Sequence, residues 1–346
     1  LAGLSVAAAL ERAGRTYCLV EARDRLGGRI QTQAIRGGDG VASFDLGPAW
    51  FWPGQPRMAA LVAELGLSRF GQYATGQGAY EDERGVVRGR GLVSMAGSFR
   101  VVGGLSALID GLAERSSADC RHTRSAVARV EDRGEHLRAV VQDAGGTPRS
   151  FDGRHVVLAL PPRLAASRID FAGAVSDDAL QAMRDIPTWM AGHAKVLAVY
   201  DRPFWREAGL SGDAGSRRGP LAEIHDASPD AGGPYGLFGF VGVPPEARGD
   251  QERLLGAAKA QLVRIFGDAA GNPISLTVHD WAAERHTATK DDHRPLRAHP
   301  DYGLPPVLEA LCGGRLILAG SEVGATFGGY LEGALEAAEH AVKRLT

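Results

Sequence analysis

The first 32 residues constrain the fold most strongly, because they match the second half of a nucleotide-binding unit. Residues 4–13 read as a helix rich in small side chains, and "TYCLVE" at 16–21 reads as a strand that ends in an acid. A dinucleotide-binding unit runs strand, G-x-G-x-x-G, helix, strand and then an acid that binds ribose hydroxyls. Gly3 fits the third glycine and Glu21 fits the acid, 18 residues later (21 − 3).

The first strand of this unit and its first two glycines are expected ahead of Leu1, over roughly 10 residues. That strand would be central to the parallel sheet, and its turn would offer N–H groups to a pyrophosphate. The alternative reading of 1–21 is an amphipathic surface helix followed by an unrelated strand.

Two later stretches also favour a chain folded around a nucleotide. Gly27, Gly28 and Arg29 follow the acid, so the backbone can turn against a ligand while a guanidinium offers two parallel donors. At the other end, "RLILAG" at 315–320 reads as a buried strand, followed by a glycine turn and a helix from Leu331. The positive end of that helix suits an anionic group. The alternative is a C-terminal helix that only caps the core.

Composition excludes several other classes of protein. Glycine accounts for 47 of 346 residues, an excess typical of close backbone approaches to a large cofactor. The net charge of −2 indicates neither nucleic acid nor an anionic membrane surface as a partner, and no apolar run could span a bilayer. The ten histidines lack HxH or HExxH spacing, which predicts no metal. The three scattered cysteines make a disulfide framework improbable and favour a reducing, cytoplasmic location.

Three separated segments resemble the flavin-containing monoamine oxidase family. They are "LAGLSVAAALERAG" with "CLVEARDRLGGRIQT", then "DLGPAW", then the tail "RLILAGSEVGATFGGYLEGALEAAEHAVKRL". The resemblance implies an α/β fold, in which a Rossmann-like FAD-binding domain is interleaved with an α+β substrate domain carrying a mixed sheet. It implies FAD as cofactor, and the cofactor-binding positions Gly3, Leu4, Glu21, Ala22, Arg23, Gly28, Arg29, Gly47, Pro48, Ala49, Val127, Gly320, Ser321, Glu322, Gly329, Tyr330 and Leu331.

The same resemblance implies four residues near the chemistry. Lys195 would hold a water against the flavin, and Tyr330 would form one wall of an aromatic cage. Trp50 would face the substrate side, and Trp281 would lie near the flavin. By strand alternation Lys195 shares a face with Leu197 and Val199, and a lysine in so apolar a strand needs a partner. The alternatives are an edge-strand lysine and core tryptophans.

Two features depart from the family pattern. The second cage tyrosine would fall near Asp291, where no aromatic residue stands, and the position for covalent flavin attachment falls near Lys290, so FAD should be bound non-covalently. Only about 35 residues, 68–102, replace the family's long helical substrate section, so the lid over the substrate should be reduced.

The domain boundaries follow from this order of segments. The FAD-binding domain is expected at 1–67, 101–162 and 306–346, and the substrate domain at 68–100 and 163–305. In the latter we expect strands at 193–200, 235–243 and 274–281, a helix at 252–266 and a Gly/Ser-rich loop at 208–220. Residues 291–306 look irregular and are expected over the flavin.

The expected reaction is FAD-dependent oxidation of an amine C–N bond to an imine, with oxygen as the second substrate. A carotenoid-type desaturase, a renalase-like oxidase of reduced nicotinamides and a non-catalytic flavoprotein remain alternatives. The sequence indicates neither the amine nor the oligomeric state.

Overall fold

The computed structural model of the chain describes residues 1–143, 148–294, 296 and 298–346. Its helices are α1 (Ala2–Arg12), α2 (Pro56–Glu64), α3 (Ser106–Glu114), α4 (Pro162–Arg168), α5 (Asp177–Asp185), α6 (Phe204–Glu207), α7 (Gln251–Phe266) and α8 (Leu331–Leu345). Short 3₁₀ helices cover Ala118–Cys120, Pro245–Ala247, Asp268–Gly271, Trp281–Ala283, Lys290–His293, Pro306–Leu308, Leu311–Gly314 and Ser321–Val323. No helix in these ranges is both long and apolar enough to cross a bilayer.

The strands fall into six sheets. They are β1 (Leu19–Val20), β2 (Thr32–Gly37), β3 (Gly40–Asp45), β4 (Arg69–Gly71), β5 (Gln77–Asp82), β6 (Gly85–Gly89), β7 (Phe99–Val101), β8 (Arg121–His122), β9 (Ser125–Asp132), β10 (Leu137–Asp143), β11 (Pro148–Gly153), β12 (Val156–Leu158), β13 (Ala194–Tyr200), β14 (Leu210–Ser216), β15 (Leu221–Asp226), β16 (Tyr235–Val241), β17 (Ser275–Asp280) and β18 (Leu316–Leu318).

A seven-stranded mixed sheet dominates the middle of the chain. Its order is β17-β13-β16-β15-β14-β5-β6, and only β14 and β5 run parallel. One face packs against α7, whose Leu254, Ala258 and Leu262 follow helical spacing and cover the alanines of β13. The opposite face carries Lys195, Leu197 and Val199, and it lies toward the N-terminal part of the chain. The predicted alternation of β13 is therefore confirmed.

The nucleotide-binding part holds short parallel strands. β1 pairs with β8, and β12 pairs with β18, each in parallel register. α1 packs against α8 and α3, and the three-stranded sheet β11-β10-β9 lies beside the parallel pairs. Together with the mixed sheet, these pairs confirm the predicted α/β fold. The proposed domain boundaries remain a prediction.

Several predicted elements differ in extent from those observed. The strand expected at 16–21 is reduced to Leu19–Val20, whereas the helix expected at 252–266 forms over Gln251–Phe266. The loop expected at 208–220 is wrong, because most of it is the buried strand β14. The stretch 65–105 holds the strands β4–β7 and no helix, in line with a short substrate section.

Candidate active site

A cavity of about 1420 Å³ runs between the two ends of the chain. Of the residues predicted for the site, those that line it are Gly3, Leu4, Glu21, Ala22, Arg23, Gly28, Arg29, Gly47, Pro48, Ala49, Trp50, Val127, Lys195, Trp281, Gly320, Ser321, Gly329, Tyr330 and Leu331. These positions lie up to 328 residues apart (331 − 3), yet one continuous space joins them. Glu322 is the predicted residue that does not line it.

One end of the cavity combines a helix N-terminus with an acid. Gly3 lies in the first turn of α1, and a Cβ there would approach the Ala159 Cβ to 3.2 Å, so glycine allows helix and strand to pack closely. Glu21 accepts a hydrogen bond from the Arg23 amide at 2.8 Å through one oxygen. Gly28 has a φ of +62° and open space beside its Cα, a conformation that favours glycine.

Arg29 and Glu322 form a buried ion pair at the edge of the cavity. The Arg29 Nη1 lies 2.5 Å from Glu322 Oε1, and Nη2 lies 3.2 Å from Oε2. Glu322 is fully buried, whereas the Arg29 side chain keeps 29% exposure toward the cavity. Burial alone would lower the pKa of Arg29, but Glu322 outweighs it and the pKa is raised. The Glu322 carboxylate holds the Arg29 guanidinium, and the predicted role of Glu322 in cofactor binding stays a prediction.

Lys195 is buried in the interior of the mixed sheet and not on an edge strand. Its Nζ donates to the carbonyl oxygens of Gly47 at 2.7 Å and Asp45 at 3.1 Å. The same nitrogen lies 4.2 Å from the centre of the Phe238 ring. Burial lowers the pKa of Lys195 to about 7, against a smaller opposing effect of Asp45. This lysine can therefore lose or take up a proton near neutral pH.

Two tryptophans flank Lys195. Trp281 donates its indole N–H to the Leu46 carbonyl at 3.1 Å, and Trp50 donates to Gln72 Oε1 at 2.8 Å. Both indoles are mostly buried, so these bonds satisfy their only polar atom. Each ring is held in one orientation against the cavity.

Aromatic rings gather around Tyr330 at the other side of the cavity. The His299 ring stacks on the Tyr330 ring at 4.9 Å with an interplanar angle of 19°. Trp52 approaches Tyr330 edge-on at 6.2 Å, and Trp189 approaches His299 at 4.9 Å. These rings belong to Trp52, Trp189 and His299, and the role of Tyr330 as a wall of an aromatic cage stays a prediction. Of the irregular stretch predicted over the flavin, Pro295 and Arg297 lie outside the described residues.

A row of three hydrogen-bonded side chains, Asp213, His225 and Glu223, lies behind Trp50 on the same face of the sheet. His225 Nδ1 lies 2.8 Å from Asp213 Oδ1, and its Nε2 lies 2.7 Å from Glu223 Oε1. The His225 ring meets the Trp50 ring edge-on at 5.1 Å. Burial alone would lower the pKa of His225, but the two carboxylates outweigh it and the pKa is raised.

The family model for flavin containing amine oxidoreductase matches residues 1–95 and 80–346, which together cover the whole chain. The chain belongs to this family. A probable flavin-containing monoamine oxidase A of Dictyostelium discoideum is 27% identical over 247 residues, which is 68% of this chain and 51% of that protein. The chain therefore spans about half the length of this relative.

Two further proteins are similar over more of their length. The putrescine oxidase of Kocuria rosea is 25% identical over 401 aligned positions, covering 83% of this chain and 81% of that protein. A solved putrescine oxidase, an A394C mutant, superposes with a TM-score of 0.81 at 21% identity, covering 99% of this chain and 96% of the other. These likenesses support the fold of this family member over nearly its full extent.

The residues of this amine oxidoreductase fit an extended dinucleotide such as FAD. The N-termini of α1 and α8 both open on the cavity, so two positive helix ends face the space where phosphates or a reduced ring would gather charge. A Cβ on Gly47 would overlap the Arg29 carbonyl, so only glycine fits at this point of the cavity wall. Among the described residues, no group of His, Cys, Asp or Glu could hold a metal ion.

The sequence alone did not single out several residues that the fold places at the site. Trp189, Met190 and Phe240 line the cavity, and His299 stacks on Tyr330. Met190 has a φ of +60°, which is strained for a residue with a side chain. The apolar pair Trp189 and Met190 was the one signal in the sequence that could have pointed to these residues. The roles of His225 and Glu223 depend on strand register, which no local pattern reveals.

Proposed function

We propose that this protein oxidises the C–N bond of an amine, using FAD held non-covalently in the cavity and oxygen as the final acceptor. Bound FAD supplies the redox chemistry, taking two electrons from the substrate and passing them to oxygen to give peroxide. The chain's own residues bind and orient the cofactor and the amine. The observation that carries the proposal is the single cavity that joins both ends of the chain to Lys195 and Tyr330.

The cavity wall favours the neutral form of an amine. Trp50, Trp52, Phe240 and Tyr330 give it an aromatic lining, and transfer into such surroundings lowers the pKa of an ammonium group. A neutral amine has the free electron pair that C–N oxidation requires. Tyr330 would orient the amine by packing against it as part of this aromatic wall.

Lys195 would hold or move a proton beside the reacting atoms. Two backbone carbonyls accept its hydrogens, so a charged Lys195 has one N–H left for a water in the cavity. Its pKa of about 7 lets it exchange that proton near neutral pH without a large cost. This supports a role in positioning water at the flavin.

Anaerobic mixing of the flavin-loaded protein with candidate reductants tests the proposal. A primary amine such as putrescine or benzylamine should bleach the flavin absorbance, and oxygen should then restore it with release of peroxide. NADH should not bleach it faster than buffer does. Bleaching by NADH or by a polyene, with none by amines, would favour the renalase-like or desaturase alternative. A flavin spectrum that no reductant changes would favour the alternative of a non-catalytic flavoprotein.

Glu223 favours a substrate that carries a charged amino group in addition to the neutral amine that reacts. In the register of the mixed sheet, Lys195 pairs with Phe240, and Phe240 pairs with Glu223, so all three side chains share one face. Two strand spacings place the Glu223 and Lys195 backbones about 10 Å apart. Glu223 holds His225 with one oxygen, and its side chain keeps 38% exposure. Glu223 does not line the cavity, but Phe240, which lies between it and Lys195, does, so a short diamine bound in the cavity would extend past the Phe240 ring toward this carboxylate.

Putrescine is such a diamine, and the name of the Kocuria relative points to the same substrate. We expect Glu223→Gln to lower kcat/KM for putrescine about tenfold or more, the effect of losing a charge-assisted hydrogen bond, and to change that for butylamine little. Equal losses for both amines would remove Glu223 from substrate selection and leave amine oxidation itself intact.

A further inference from the structure

Two cysteines that are 102 residues apart in sequence (120 − 18) lie side by side in the fold. Cys18 immediately precedes β1, and Cys120 immediately precedes β8. β1 and β8 are parallel, with Leu19 opposite Arg121 and Val20 opposite His122. Cys18 and Cys120 are the residues directly before the paired Leu19 and Arg121, and Cys120 is the last residue of the 3₁₀ helix Ala118–Cys120, so the two cysteines flank the same end of this strand pair. Cys18 and Cys120 are therefore distant in the sequence but neighbours in the fold.

The spacing of neighbouring strands suits a disulfide. Strands in a sheet lie about 4.8 Å apart, and the Cα atoms of a disulfide are separated by roughly 4.4–6.8 Å. Burial, and then the nearness of Cys120, raise the pKa of Cys18 to about 11.

Both thiols are free and within reach of small oxidants. Cys18 is exposed and borders the cofactor cavity, and Cys120 is half-buried. Cys312 differs, because its Sγ lies 3.4 Å from the Ala174 carbonyl and packs at the edge of a separate apolar cluster. The chain therefore contains one neighbouring pair and one remote cysteine.

We propose that Cys18 and Cys120 are a dithiol site that hydrogen peroxide oxidises to a reversible disulfide. One thiolate attacks the peroxide, its sulfur becomes a sulfenic acid, and one water leaves. The second thiol then displaces the hydroxyl as a second water, and the S–S bond forms. Two thiols thus lose two hydrogens and two electrons to one peroxide. A dithiol such as dithiothreitol reverses the step by exchange.

The bond would fasten a short but important strand pair. β1 and β8 share only two residue pairs, and β1 leads directly into Glu21. The Glu21 amide donates to the His122 carbonyl at 2.8 Å, and the Ser125 amide donates to the Glu21 carbonyl at 2.9 Å. A cross-link at Cys18, three residues before Glu21, would hold β1 and β8 together and so preserve these hydrogen bonds when this part of the fold unfolds locally. Closing so long a loop should raise the Tm by about 5 °C.

Peptide mapping after peroxide treatment tests the site. Trypsin releases Cys18 in "TYCLVEAR" (16–23) and Cys120 in "SSADCR" (116–121), whereas Cys312 falls in a third peptide at 298–315. The reduced flavin-loaded protein is treated with a small excess of hydrogen peroxide, alkylated and digested without reduction. We expect a mass equal to "TYCLVEAR" plus "SSADCR" minus two hydrogens, forming faster at pH 9 than at pH 7 because the thiolate is the reactive form. Dithiothreitol should abolish this mass and the rise in Tm.

Matched variants separate the pair from general oxidation. Cys312→Ser should leave the cross-linked mass unchanged, and Cys18→Ser should remove it while retaining the flavin. The proposal fails if wild-type protein gives no linked peptide under these conditions, or if Cys312 is linked to Cys18 or Cys120 as often as they are linked to each other. The oxidant is added, so the outcome does not depend on amine oxidation.

Discussion

Replacing Lys195 by Met should change how the stability of the protein depends on pH. The pKa of Lys195 is lowered from 10.5 to about 7 by burial. Above pH 7 the folded protein therefore carries a neutral Lys195, while the unfolded chain keeps this lysine charged up to about pH 10.5. The unfolded state then binds more protons, so the wild-type free energy of unfolding rises with pH in this window.

The size of this effect follows from the shift. Each pH unit between the two pKa values adds about 1.4 kcal/mol to the wild type, because Lys195→Met removes the titrating group. Between pH 7 and pH 9 the free energy of unfolding of the wild type should rise by about 3 kcal/mol relative to Lys195→Met. Below pH 7 the difference should be constant. The slope carries the prediction, because the variant also leaves the Asp45 and Gly47 carbonyls without a donor.

Urea unfolding of both proteins at pH 6, 7, 8 and 9 measures the difference, since ionisations that they share cancel. Lys259→Met on α7 is the matched control, because Lys259 is an exposed lysine in the middle of a helix. Its difference from wild type should stay flat across the same range. Parallel curves for wild type and Lys195→Met would refute the placement of Lys195 as a buried lysine that is neutral above pH 7.

Four further outcomes are expected. Lys195→Met should slow anaerobic flavin reduction by amines about 10- to 100-fold in stopped-flow traces, and an unchanged rate would exclude its proposed role. Glu322→Gln should lower the free energy of unfolding by about 3 kcal/mol and weaken FAD binding. Asp152→Asn, which breaks the exposed pair with Arg138, should change the free energy of unfolding much less in the same urea assay. Gly47→Ala should abolish FAD retention on gel filtration because its Cβ overlaps the Arg29 carbonyl, while Gly256→Ala in α7, with open space, should be neutral or slightly stabilising. His225→Gln should cost about 3 kcal/mol at pH 6 and less at pH 9, because a raised pKa means that the charged imidazole stabilises the fold at low pH and loses its proton as pH rises.

Local patterns in the sequence sufficed for the nucleotide-binding part. The small residues of α1, the acid at Glu21 and the glycine turn before α8 each follow from a short stretch, because helix packing and tight turns impose local requirements. The apolar alternation around Lys195 likewise predicted which side chains share its face. Most of the predicted residues that line the cavity came instead from the resemblance to the flavin-containing monoamine oxidase family.

The features that the sequence did not predict depend on pairing between strands that are distant in the chain. The glycines of β14 suggested a loop, yet a Cβ on Gly212 would approach the Asp226 Cβ and Trp205 Nε1 to 3.0 Å, and one on Gly215 would approach Val93 Cγ2 to 3.0 Å. Close packing therefore favours glycine at both positions, and Gly212 in addition has a φ of +85° where the register between β14 and β5 shifts. In the same way, strand register brings Glu223 into line with Lys195, and Cys18 beside Cys120. No periodicity in one segment encodes such neighbours.

A crystal structure of the purified protein with bound FAD tests the central claim most directly. We predict one FAD molecule along the cavity, with the adenosine ribose at Glu21, the pyrophosphate near Gly28 and Arg29, and the flavin ring between Lys195 and Tyr330. Electron density for FAD outside the cavity that Glu21 and Tyr330 line would contradict this claim. A flavin ring that lies inside this cavity but out of reach of Lys195 would contradict it as well.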